Sequence, residues 1–137
     1  MAKAQKNPRK TAPKERLPVP GDAEVLLDVE LAQGALWLVL ANPSDQTAFN
    51  VSVVFRNPLM GIGGERDIAQ MGVFRKLPML RPKREIRVLV DVAHHLFARR
   101  QSTRVEARVD WQSRAGERFS QTFKHDLAVW KDFGEVS

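Results

Sequence analysis

His94, His95 and His125 are the chain's three histidines, and with Asp91 and Asp126 near them they are the first place to look for metal or acid–base chemistry. Adjacent side chains point about 100° apart on a helix and to opposite faces on a strand, so His94 and His95 do not converge on one ion. A site made from one of them, His125 and a carboxylate matches no zinc-ligand spacing, and no metal site is predicted. Gly61-Ile62-Gly63-Gly64 has the glycine density of a phosphate-cradling loop. Such a loop needs a helix N-terminus and a Lys-Ser/Thr after it, whereas Glu65 and Asp67 follow here. A mobile loop is expected, with no cofactor. Ser102, Ser113 and Ser120 stand in ordinary loop or strand contexts, without a Gly-x-Ser-x-Gly elbow, and the chain has no cysteine. No catalytic residue is assigned, and the expectation is a protein that is not an enzyme.

The elements that would position any site are short and β-like. Val25, Leu27, Val29 and Leu31 alternate with polar residues, and Gln33-Gly34 turns the chain into a second strand over residues 35–41. That strand is apolar on both faces, which suits a central position. A third strand over 48–56 points Phe49, Val51, Val53 and Phe55 inward. Residues 85–92 alternate again around Ile86, Val88, Val90 and Val92. A short helical crossover over 93–100 follows, with Asp91 as its cap and Val92 one turn from Leu96. Residues 105–111 and 119–127 form a last hairpin across Ser113-Arg114-Ala115-Gly116-Glu117. The glycine-broken region 57–80 is read as a loop with an irregular edge strand. Seven or so strands with regular turn signals predict an all-β, antiparallel two-sheet sandwich. Leu38, Val51, Val53, Val88, Val90, Val109 and Phe123 are its expected core, and Trp37 and Trp111 are read as core as well.

The run Leu-Val-Leu-Ala-Asn-Pro-Ser-Asp-Gln-Thr-Ala-Phe-Asn-Val-Ser-Val, residues 38–53, joins two strands through an Asn-containing turn. Leu77-Pro78-Met79-Leu80-Arg81-Pro82 then leads into the alternating strand from Glu85. In both respects residues 24–127 resemble bacterial immunoglobulin-like and fibronectin-type-III-like interaction modules. The resemblance implies an immunoglobulin-like sandwich. Pro82-Lys83-Arg84-Glu85 lacks the glycine of the family pattern. The absence of a cysteine pair and of tyrosine counts against an antibody-type domain but not against the broader sandwich class.

Charge divides the chain of 137 residues in two. Of the formal +6, residues 1–21 carry +5, from Lys3, Lys6, Arg9, Lys10, Lys14 and Arg16 against Glu15. Pro8, Pro13, Pro18 and Pro20 exclude helix and central strand there, so this segment is expected to be a disordered basic arm. Residues 22–137 are the expected sandwich. The six cations are the anion-binding candidates, fit for weak, sequence-independent contact with nucleic acid. A nearly neutral body argues against a nucleic-acid-binding face on the sandwich itself. No run reaches the roughly 20 apolar residues of a membrane span, and no secretory signal is apparent, so a cytoplasmic protein is expected. The function expected is protein–protein interaction or a structural role, with the arm making auxiliary contacts. Its partner-binding candidates are Leu59, Met60 and Ile62 in the glycine-rich loop, with Trp130 and Phe133 near the end. Neither the partner's identity nor the oligomeric state follows from these features.

Overall fold

Alternating apolar and polar residues build two antiparallel sheets around one core in the computed structural model, which describes residues 15–131. The smaller sheet has the order β2 (Leu26–Ala32), β3 (Ala35–Ala41), β8 (Glu85–Val92). In the larger sheet, β1 (Glu15–Arg16), β10 (Arg118–Asp126), β9 (Arg104–Gln112), β4 (Ala48–Phe55) and β7 (Leu77–Leu80) lie side by side in that order. Its one parallel pairing is β1 on β10. The central position expected for residues 35–41 is that of β3, whose Leu36, Leu38 and Leu40 are fully buried. Gln33 and Gly34 both have positive φ, which matches the right-handed twist of a two-residue hairpin between β2 and β3.

Two departures from strict alternation decide what faces where. Asn50 adopts φ 51°, and the β4–β9 register slips by one residue between Phe49 and Ser52. This bulge puts Ala48 in the core with Val51 and Val53. Phe49, expected inward, is instead half-buried, with the Arg114 guanidinium 5.2 Å from its ring centroid. A second slip, in β8 opposite Leu36 and Trp37, buries the consecutive residues Val90 and Asp91. Trp111 is core as expected: it stacks on Phe119 at 5.6 Å and its Nε1 donates to Ala23 O. Trp37 and Phe123 are only partly buried.

Region 57–80 holds more structure than expected. β5 (Met60–Gly61) and β6 (Arg66–Asp67) form a small ribbon, followed by a 3-10 turn (Ile68–Gln70), the helix α1 (Gly72–Arg75) and then β7 at the sheet edge. Phe74 of α1 packs edge-on against Phe55 at 5.2 Å. The helix α2 (Ala93–Ala98) forms the expected crossover, but Asp91 does not cap it. Leu127–Trp130 is a second 3-10 turn.

Buried Asn42 ties the loop after β3 to the larger sheet. Its Nδ2 donates to Gln46 O and Leu80 O, and its Oδ1 accepts from Ser44. Lys83 takes the left-handed conformation, φ 62°, at the turn before β8, and its N–H donates to Asn42 O. Residues 15–21, assigned to the arm on composition, include a strand of the larger sheet. Among the described residues no helix is long and apolar enough to cross a membrane.

Candidate partner-binding surface

Loop 59–64 is held in place from both ends. Leu59 N–H donates to Asp67 Oδ1 and its carbonyl accepts from Ile68 N–H. Leu59 is core, 2% exposed, so it is corrected from a surface candidate to an anchor of the loop. Met60 is half-buried, and its carbonyl accepts from Gln101 Nε2 at 2.7 Å and Arg99 Nη2 at 3.3 Å. Gly61 lies against Val90 O and Ile68, where any side chain would collide with the backbone oxygen. Ile62 N–H donates to Val90 O at 2.8 Å, and Gly63 N–H donates to Asp91 Oδ2 at 3.1 Å.

Asp91 is the hub of this clamp. Its side chain is 6% exposed and pairs with Arg99 Nη1 at 2.6 Å, while Oδ1 accepts from Val92 N–H. Arg99 Nε in turn donates to Gln101 Oε1 at 2.8 Å. Burial alone would raise the Asp91 pKa. Hydrogen bonds from Arg99, Gly63 and Val92 outweigh it and hold the carboxylate below its ordinary range. The loop expected to be mobile is therefore bonded at most of its positions. Apart from Asp67 and Ile68, the residues that clamp it, Val90, Asp91, Arg99 and Gln101, lie 28 or more residues downstream, beyond the reach of a local sequence pattern.

What the clamp presents is Ile62. It is 44% exposed and sits at φ 47°. For a β-branched residue that conformation is a true outlier, because Cβ crowds the backbone. Leu89 and Val92, 37% and 36% exposed, flank the stretch of β8 to which the loop is bonded. They pair across the sheet with Trp37 and Ala35. Arg87 closes this face, bonded to Glu30 and lying over Trp37.

The other candidates are dispersed. Trp130, in the second 3-10 turn, is half-buried against the core. Phe133 and the cations Lys3, Lys6, Arg9, Lys10 and Lys14 lie outside the described residues. Arg16 is described, and it is not a free anion ligand. It pairs with Asp22 at 2.8 Å and Glu117 at 2.9 Å and lies 4.7 Å from the Phe119 ring centroid. Those carboxylates raise its pKa further. Its role is to fasten β1 to the body. His94 and His95 are exposed and contact each other, while His125 Nε2 sits 2.8 Å from Leu27 O, linking β10 to β2. Among the described residues no three His, Asp or Glu side chains are grouped to hold a metal.

Fold and surface together define an all-β domain with an apolar loop hydrogen-bonded onto the β8 edge of its smaller sheet. A family model described as a domain of unknown function, DUF8453, matches residues 6–131, and the chain belongs to that family. No curated protein and no solved structure matches the chain.

Proposed function

We propose that the chain is a non-enzymatic interaction module of immunoglobulin-like sandwich architecture that docks a partner protein through the Ile62 loop. The order β2-β3-β8 in one sheet and β10-β9-β4-β7 in the other supports the architecture, since hairpins and crossovers of this kind build Greek-key sandwiches. The docking assignment rests on one observation: an exposed isoleucine stands at positive φ in a loop bonded to Val90 on one side of it and to the Asp91–Arg99 pair on the other. Such a conformation costs about 1–3 kcal/mol and persists only where its surroundings enforce it. A glycine would relieve the strain, so the side chain itself has a use. Ile62 is already more than half covered by its own chain, so burying the remainder in a partner's pocket is worth about 0.7–1.3 kcal/mol.

A second reading has the basic arm on nucleic-acid phosphates. It is favoured by the family match beginning at residue 6, which places Lys6, Arg9, Lys10 and Lys14 inside the family unit. One experiment separates the two. Native chain and Ile62→Asp are each used to capture partners from lysate, with and without nuclease. Docking at the loop predicts a defined protein that survives nuclease and is lost with Ile62→Asp. Recovery that nuclease abolishes and Ile62→Asp leaves unchanged selects the arm.

A further inference from the structure

A second surface, separate from the Ile62 loop, lies along β4. Its pairing with β9 continues to Phe55 opposite Ala107, but its pairing with β7 ends at Val51 opposite Leu77. Pro78 has no N–H, so the Val51–Leu77 pair must be the kind in which the two residues exchange both hydrogen bonds. Backbone groups alternate along a strand, so Val53 and Phe55 also turn their N–H and C=O groups to the β7 side. Arg56 agrees with this parity, donating its N–H to Glu106 O on the β9 side at 2.9 Å. Among the described residues no strand and no turn bonds to Val53 or Phe55 from the open side.

A groove of about 420 Å³ runs there, between this edge and the segment carrying α1. Arg56 and Arg75 line it with Gln70, and no acidic residue is among its lining. Arg75 is exposed and has no hydrogen bond or ion pair among the described residues. Arg56 is 70% exposed, in a 3.3 Å pair with Glu106. We propose that this edge accepts an extended acidic segment of a partner protein as an added strand, with its main chain on Val53 and Phe55 and its carboxylates on Arg56 and Arg75. Main-chain hydrogen bonds would supply the docking and the two arginines the preference for acidic sequences.

The probe is a fluorescein-labelled Val-Glu-Val-Glu-Val-Glu peptide, titrated with the full chain and followed by anisotropy and by exchange of the Val53 and Phe55 amides. Saturable binding should slow exchange at both amides. Affinity should fall about tenfold or more in the Arg56→Glu, Arg75→Glu double variant and when alternate peptide amides are N-methylated. Ile62→Asp should leave it unchanged, so failure here and failure at the Ile62 loop are distinguishable. Absence of saturation, equal binding of Val-Lys-Val-Lys-Val-Lys, or full affinity in the N-methylated peptide overturns the proposal.

Discussion

Replacing Val90 with aspartate is expected to abolish cooperative folding at 25 °C. Val90 is fully buried at the bulge of β8, and its carbonyl accepts the Ile62 N–H. Aspartate there either buries an unpaired carboxylate or takes up a proton, and both lose the packing of the valine. The combined cost is about 4–5 kcal/mol or more, comparable with the roughly 5–15 kcal/mol that holds a typical domain together. Val54→Asp is the internal control. Val54 is 52% exposed on β4, and its replacement should change stability by no more than about 0.5 kcal/mol. Urea melts of both variants check the pair. A cooperative Val90→Asp transition at the native midpoint would mean that β8 faces the other way.

Breaking the clamp should have the next largest effect. Asp91→Ala leaves Arg99 without its carboxylate and removes the acceptor from Gly63 N–H and Val92 N–H. Removing one partner of a buried pair costs about 3–5 kcal/mol. The low end is expected here, because the Arg99 side chain remains 22% exposed. Asp91→Asn keeps the shape and one acceptor oxygen and should cost less.

Acid should act through the same group. Asp91 has a folded-state pKa below its unfolded value of about 3.9, so its contribution is complete above that value. The contribution is lost as pH falls from about 4 through the folded-state pKa. Asp126, lowered first by the hydrogen bond from Thr103, and Asp22, lowered first by Arg16, add losses of the same sign. Melting measured from pH 7 down to pH 2 should show native stability falling below about pH 4, with a shallower fall in Asp91→Asn. An identical slope in the variant would remove Asp91 from the clamp.

The strands were readable where one rule applied. The central place of β3 follows from its being apolar on both faces, and the alternation of buried residues in β9 from period-two patterning. That rule failed at the bulges, where one extra residue reverses the parity of everything beyond it. Asn50 turned Phe49 off the core, and the slip in β8 turned Asp91 from a presumed helix cap into a buried ligand of loop 59–64. For the candidate surface, glycine spacing singled out Ile62. It gave no sign of Arg99 and Gln101, whose bonds to Met60 span 39 and 41 residues. Leu59 read as exposed because a glycine-rich neighbourhood suggests a free loop, while its main chain is in fact paired with Asp67 and Ile68.

Ile62→Gly tests the central claim most directly, because docking and packing predict opposite outcomes. Glycine tolerates φ 47° without strain, so it should preserve the loop and raise the melting temperature by up to a few degrees, strain relief outweighing the added chain entropy. It also removes the side chain offered to a partner. If Ile62 is the docking residue, the variant melts at or above the native temperature while affinity for the nuclease-resistant partner falls by about 0.7–1.3 kcal/mol, roughly 3- to 10-fold. Unchanged affinity, or a stability loss of about 1 kcal/mol or more, would contradict the account and make Ile62 a packing residue.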